Sequence, residues 1–504
     1  MMKKHAILSA VMLSVWLSAS AQISGTAIPE TQGVPSRAIL EWVDTVERDI
    51  DALHSFMLVR HGSIIAEGWW SPYQRDRPHM LYSLSKSFTA TAVGLAAEEG
   101  KLKLDDTVAS FFPDRLPDSP SDNLTRMRVR DLLCMGTGNH DDTLGAVLNA
   151  PASDWPRAFL AQPVQHAPGT FFRYNTGATY MLSAILQKAT GQTLLDYLTP
   201  RLLTPLGIRG AAWETCPQGV NTGGYGLKVR TRDIAALGQL YLQNGVWEGK
   251  PLLTPSWVAQ ATSKQISNGA TPDSDWTQGY GFQFWRCRNN AFRGDGAFGQ
   301  YCIVMPEQDA VLAITGGLAD MQRVLNTVWQ ILQPALNSPA PLPPDPDTHH
   351  SLTAKLATLT LPPVQGDRAS PREGDMLGKT FSFATNEKAL QTLALTRTDD
   401  DGTVTLTLRN AHGEQRLTCG AGAWITGDLL FEPDTAPSLG AANGRQSVAA
   451  SGAWLTPDIY TAHVYFIETP YRLALTLNFK DDRLYLDIAY NVSFGQRQWQ
   501  LIGK

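Results

Sequence analysis

Between Tyr82 and Gly100 the chain sets Leu84, Phe88, Val93 and Leu95 at helical spacing, with the small residues Ala92 and Ala96 between them. That pattern specifies a helix buried over most of its surface, so the rest of the fold must wrap it in further layers. Gly100 supplies the left-handed stop. Lys86, near the start of this buried helix, is out of place unless it has a task. Ser83 stands three residues before it, on the same helix face, so the hydroxyl and the amine come within hydrogen-bonding reach. Desolvation and the positive end of the helix dipole both disfavour the ammonium form, leaving an amine able to take the serine proton. The backbone N–H of Ser83 is then placed to help hold an oxyanion. Ser83 is the expected nucleophile and Lys86 its base.

The 504 residues are 43% hydrophobic and 18% charged, an ordinary globular balance for two or three domains. Residues 1–21 carry Lys3 and Lys4, an apolar run from Ala6 to Leu17, and Ala19-Ser20-Ala21 before Gln22. These are the marks of a cleavable signal peptide, and they predict a periplasmic or secreted protein. No later apolar run is long enough to span a bilayer. Removing the two lysines takes the net charge from −5 to −7, which excludes a basic nucleic-acid surface. The five cysteines are too scattered for a disulfide framework; Cys287 and Cys302, on two candidate strands joined by a short connection, are the one candidate pair. No metal-ligand spacing stands out, and Asn139-His140-Asp141-Asp142 is read as a polar loop. No cofactor is called for.

Along the chain, Ser36 to Leu53 is predicted as an amphipathic helix with Ser36 at its N-cap. Phe56–Val59 and Ile64–Ala66, joined through His61-Gly62, predict a β-hairpin in which Gly62 takes the positive φ and His61 is a solvated turn residue. Pro168–Tyr180 crowds polar residues at the entrance of a helix predicted over Met181–Thr190. There Tyr174 is a candidate proton shuttle and Asn175 a candidate donor to a substrate carbonyl. Glycines 223, 224 and 226 are read as turn formers before a helix capped by Thr231. Strands are predicted over Phe282–Trp285, Gly294–Met305 and Ala310–Thr315, followed by a helix from Met321 to Leu332. Pro334–Pro346 holds six prolines and predicts an extended linker, with a short helical patch near Leu352–Leu359. Residues 376–504 alternate with period two, as in Val404–Leu408 and Leu473–Phe479, and predict a small antiparallel sandwich or barrel. The expected domains are therefore 1–21 as signal, 22–336, a linker at 337–375, and 376–504.

Ser83-Leu84-Ser85-Lys86, then Tyr174-Asn175, then the glycine-rich strand Asp295-Gly296-Ala297-Phe298-Gly299-Gln300 resemble, in order and rough spacing, the class C β-lactamase-like serine hydrolases. That family includes class C β-lactamases, D-alanyl-D-alanine carboxypeptidases, family VIII-type esterases and nylon-oligomer hydrolases. The resemblance covers roughly residues 30 to 335 and implies an α+β fold, an antiparallel sheet flanked by helices, with the all-β region appended. It further implies that Ser83 is acylated, that Lys86 is its partner, and that Tyr174 relays protons to the leaving group and later activates water. Asn175, Asp295, Gly296, Ala297 and Phe298 would meet the substrate, the oxyanion being held by the N–H of Ser83 and one near Ala297 or Phe298.

The chain departs from this pattern twice. The family's Tyr-x-Asn is here Tyr174-Asn175-Thr176, with the asparagine one place early. The Lys-Thr-Gly or His-x-Gly strand is here Asp295-Gly296-Ala297, with Arg293 the nearby cation. An acidic residue at that strand would repel a substrate carboxylate, favouring neutral esters or amides over penicillins and peptides. Three readings stand at this level: an exported esterase or amidase acting on a small-molecule or peptide substrate, a β-lactam or cell-wall hydrolase, and a binding or sensor module that has kept the fold without turnover.

Overall fold

The computed structural model describes residues 23, 25–151, 154–411, 413–430 and 445–504; the predicted signal segment lies outside them. The part before the proline-rich segment is built on a six-stranded antiparallel sheet. Its strands are β1 (Leu53–Arg60), β2 (Ser63–Trp69), β3 (Trp285–Arg286), β4 (Phe292–Gly296), β5 (Gln300–Met305) and β6 (Ala310–Gly316), in the order β2-β1-β6-β5-β4-β3. The β1–β2 hairpin turns through His61 and Gly62, both at positive φ, the geometry that matches strand twist.

Every residue of β1 is buried, and alternation divides it between two layers. Phe56 and Leu58 join Trp42 and Val43 of α1 (Ser36–Asp49) on one face, whereas Met57 and Val59 join Phe88 of α2 (Ser85–Glu98) on the other. The sequence-predicted helix is thus the middle layer, between the sheet and a helical region that includes α3 (Thr176–Thr190). It ends as its glycine requires: Gly100 at φ 69° donates to the Ala97 carbonyl and Lys101 to that of Ala96, closing a Schellman motif. On the same face α4 (Thr231–Leu242) lies so close that a Cβ on Gly238 would come 2.6 Å from Val311 Cγ1.

Several element ends differ from the sequence reading, each for a local reason. Ser36 is the first helical residue and not the cap: its N–H and hydroxyl both donate to the carboxylate of Glu30, at 2.6 and 2.9 Å, which caps the helix from outside. α1 stops at Asp49 because Ile50 is already extended, and Leu53 opens β1. α3 begins five residues before Met181, and α4 is capped at Arg230, one residue before Thr231. Phe282 to Phe284 do not form strand, since Gln283 sits at φ 61°. Cys287 and Cys302 are not bridged, and all five cysteines are free thiols; these two point into the cores on opposite faces of the sheet.

The proline-rich segment does not run free of the body. Arg60 donates to the Ser338 carbonyl at 3.0 Å and Leu342 donates to that of Glu30 at 2.8 Å. Pro346 then opens a full helix, α5 (Pro346–Ala357), with Asp345 as side-chain cap; its Lys355 pairs with Glu47 of α1 at 2.6 Å. Beyond it, among the described residues, four strands within 380–419 and six within 425–503 form two antiparallel sheets. Gly420 bridges Ser451 on one side and Phe383 bridges Gly503 on the other, so the sheets close in a barrel-like way around Leu395, Leu406, Val464 and Leu477. Among the described residues no helix is long and apolar enough to cross a membrane.

The β region is docked on the segment that leads to Ser83. Met80 donates to the Glu468 carbonyl at 2.8 Å, Tyr73 to that of Thr469 at 3.1 Å, and the hydroxyls of Tyr82 and Tyr471 are hydrogen bonded. Beside this junction the imidazoles of His54 and His79 meet at 3.0 Å, both buried. Burial lowers both, His79 from 6.5 to about 4. A neutral buried histidine leaves stability intact above its unfolded value, because only the unfolded chain takes up the proton as pH falls. Stability is therefore expected to fall between pH 6.5 and about 4, by on the order of 3 kcal/mol from His79 alone. Denaturant titrations of the wild type and of His79→Gln across that interval check this: the variant should lose much of the acid slope.

Candidate active site

Ser83 lies in a 3-10 turn, Tyr82–Leu84, that precedes α2, and Tyr82 holds the left-handed region at φ 48°. Backbone on two sides fixes this turn. Leu81 donates to the Leu227 carbonyl at 2.9 Å, and β4 passes so close that a Cβ on Gly296 would lie 2.0 Å from the Leu81 carbonyl oxygen. Gly296 thus contributes by having no side chain, which lets the strand backbone approach the serine turn.

Lys86 follows one turn later and is 1% exposed. Its Nζ lies 3.1 Å from Ser83 Oγ, 2.7 Å from the Gly224 carbonyl and 3.4 Å from Thr176 Oγ1. Burial lowers its pKa from 10.5 to about 7, against the opposing pull of the Asp142 and Asp295 carboxylates. The amine also sits 5.0 Å over the Tyr174 ring. Tyr174 is half-buried and stacked on Trp285 at 5.2 Å, with its hydroxyl directed at Ser83. Burial pushes the phenol upward, with the Ser83 hydrogen bond acting in the opposite sense. Serine and lysine, one helical turn apart, and a tyrosine distant in sequence thus converge in one cluster. The neighbouring serines are otherwise engaged: Ser85 accepts from Leu227 N–H at 3.2 Å and Ser87 donates to the Gln283 carbonyl at 2.9 Å, both buried.

Asn175 is not placed to donate to a substrate. It is wholly buried as the N-cap of α3, its Oδ1 accepting from Ala178 N–H at 3.2 Å and from Thr143 N–H and Oγ1 at 3.2 and 2.8 Å; its Nδ2 faces Asn139 Oδ1 at 3.4 Å. Thr176, the third residue counted from Tyr174, is the one that reaches Lys86. Asp295 is also turned inward. Arg293 Nε donates to its Oδ2 at 2.8 Å and Nη2 lies 2.7 Å from the same oxygen, while the guanidinium is fully buried beside the Trp276 and Trp285 rings at 4.5 and 5.7 Å. The carboxylate expected to repel an anionic substrate is neutralised by its own strand, and Arg293 is spent on the same pair. Ala297 and Phe298 remain half-buried beside the serine turn, the Ala297 carbonyl accepting from Gln300 Nε2 at 3.1 Å.

Three contributors escaped the sequence reading. The Gly224 carbonyl is a backbone acceptor that no side-chain pattern announces. Gln283 ties the site's helices together, its carbonyl accepting from Ser87 and its Oε1 from Thr179 at 2.8 Å. Asp142, in the loop read as merely polar, accepts from the N–H of Thr176 at 2.9 Å and brings an exposed carboxylate near Lys86.

The family described as Beta-lactamase matches residues 46–316, which hold every residue of this cluster. A 6-aminohexanoate-dimer hydrolase of Paenarthrobacter ureafaciens is 25% identical over 283 residues, 51% of this chain and 71% of the relative. Among solved structures, a Bacillus anthracis protein provisionally assigned as a 6-aminohexanoate-dimer hydrolase superposes with TM-score 0.52 at 21% identity, covering 64% of this chain and 88% of the other. EstCE1, a hydrolase with promiscuous acyltransferase activity, superposes with TM-score 0.50 at 19% identity over 60% of this chain and 99% of its own. Both superpositions speak to the fold.

Proposed function

Because the chain belongs to the beta-lactamase family and is a serine hydrolase, we propose that it cleaves a neutral ester or amide through an acyl-Ser83 intermediate. The observation that carries this reading is the buried Lys86 amine, 3.1 Å from Ser83 Oγ and with its pKa lowered to about 7. In this mechanism Lys86 accepts the Ser83 proton as Oγ bonds to the substrate carbonyl carbon. The tetrahedral oxyanion is held by the N–H of Ser83 and one near Ala297 or Phe298. Collapse breaks the ester or amide bond as Tyr174 protonates the departing oxygen or nitrogen and recovers a proton from Lys86. A water then adds to the acyl carbonyl as it gives a proton to Tyr174, which passes its own to the neutral Lys86 amine, and the ammonium returns that proton to Ser83 Oγ as the ester bond breaks and the acid departs. Thr176 and the Gly224 carbonyl aim the amine at Ser83 by satisfying its remaining donors.

The preference for neutral substrates rests on the Arg293–Asp295 pair, which leaves this strand's cation committed inside the protein. Export is part of the proposal, supported by the basic and then apolar character of residues 1–21. The mature protein and Ser83→Ala are to be given p-nitrophenyl acetate and, separately, a fluorescent penicillin. Ser83-dependent ester turnover with little penicillin labelling is expected; strong labelling or rapid penicillin turnover would move the protein to cell-wall chemistry. Because the neutral amine is the reactive form, kcat/KM should fall about tenfold per pH unit below a limb near pH 7 and level off above it. A pH–rate profile with its acid limb near pH 4 would assign the base to a carboxylate instead.

A further inference from the structure

The β region packs against the residue directly before Ser83. Tyr82, directly before Ser83, has its ring 5.5 Å from that of Phe298, 5.6 Å from that of Phe494 and 6.5 Å from that of Tyr471. Phe298 and Phe494 are 4.8 Å apart, and Phe298 and Tyr471 6.0 Å. Four rings from four separate stretches of chain thus converge where residues 295–298 pass the serine turn.

The cluster has two kinds of member. Tyr82 and Tyr471 are each 2% exposed and joined through their hydroxyls, as residues that only hold two domains together would be. Phe494 is 49% exposed, and Phe298 is half-buried. Docking does not explain a large ring left half in water against the rings of Tyr82 and Phe298. Phe298 also holds φ 66°, a region unfavourable for a bulky residue, directly before Gly299 at φ 93°. Its backbone strain is tolerated where its ring meets Tyr82 and Phe494. Next to Ser83, Tyr174 stacked on Trp285 supplies a second aromatic surface.

We propose that Phe494, carried by the β region, and Phe298 form an apolar wall of the substrate site and select esters or amides with an aryl or long-chain acyl group. The inference rests on the acyl-Ser83 reading. It makes the β region a part of the substrate site, since the hydrolase-like part alone supplies only one of the two open rings. An apolar acyl chain lying along both rings would bury surface that is otherwise hydrated, a gain that grows with chain length and is absent for acetyl.

The test compares kcat and KM for p-nitrophenyl acetate, butyrate, octanoate and phenylacetate in the full mature chain and in Phe494→Ala, Phe494→Trp and Phe298→Ala. The octanoate-to-acetate ratio of kcat/KM should fall about tenfold in Phe494→Ala, mostly through KM, and be largely kept in Phe494→Trp. Thermal midpoints guard against a general loss of fold, which the exposure of Phe494 makes a minor concern. An unchanged ratio, or equal losses on every ester, overturns the proposal while leaving the hydrolase reading in place. A wild type that turns over no ester overturns the hydrolase reading and this inference with it.

Discussion

Lys86→Ala should lower kcat/KM for a neutral ester by about three to four orders of magnitude, with secondary structure unchanged. The size follows from what surrounds the amine. Ser83 is not otherwise acidic, and the group within reach that can accept its proton near neutral pH is an amine whose pKa burial has brought to about 7. Tyr174 does not replace it, because its buried phenol ionises far less readily than in water. Lys86→Arg should be nearly as inactive: a guanidinium stays charged and cannot act as the base. A circular dichroism spectrum and a thermal midpoint close to wild type would separate this loss from misfolding. Substantial activity in both variants would remove Lys86 from the reaction.

Arg293→Leu is the second large effect, this time on stability. The guanidinium is fully buried, donates to Asp295 and to the Asp275 carbonyl at 2.7 Å, and lies against two tryptophan rings. Removing it leaves the Asp295 carboxylate buried without its counter-charge, a change that typically costs about 3–5 kcal/mol. Asp295, already pushed upward by burial, would then take up a proton, so the loss should shrink as pH is lowered. The double variant Arg293→Leu with Asp295→Leu should recover part of the stability, since neither charge is then stranded. Urea titrations of the three proteins decide it; a single variant within about 1 kcal/mol of wild type would mean that water reaches the pair.

Much of the frame can be read along the chain because it depends on local chemistry. The β1–β2 hairpin follows from apolar runs flanking His61-Gly62, α2 from its spacing and its terminal glycine, and the late β strands from their alternation. Ser83 and Lys86 are adjacent by helical geometry, so their meeting needs no knowledge of the rest of the fold. What the sequence hides depends on which way each side chain turns and what it meets once the chain is folded. Asn175 looks like a donor to substrate until its side chain is seen buried as a helix cap, with Nδ2 turned to Asn139. Asp295 looks like a free charge until Arg293 is seen to fold back on it, two residues away on the same strand. The pairing of Cys287 with Cys302 fails because strand pleating sends the two side chains into opposite layers. The prolines of residues 334–346 suggest a spacer, yet Asp345 and Pro346 are also a cap and first residue for a helix, and α1 offers Glu47 to hold it.

Acylation of Ser83 is the claim on which the rest depends, and intact-protein mass spectrometry after exposure to a fluorophosphonate measures it directly. Peptide mapping must separate Ser83 from Ser85 and Ser87, both buried and hydrogen bonded elsewhere. A single adduct on Ser83, absent from Ser83→Ala and much slower to form in Lys86→Ala, is the predicted result. An adduct on another residue, or ester turnover that survives Ser83→Ala, would contradict it.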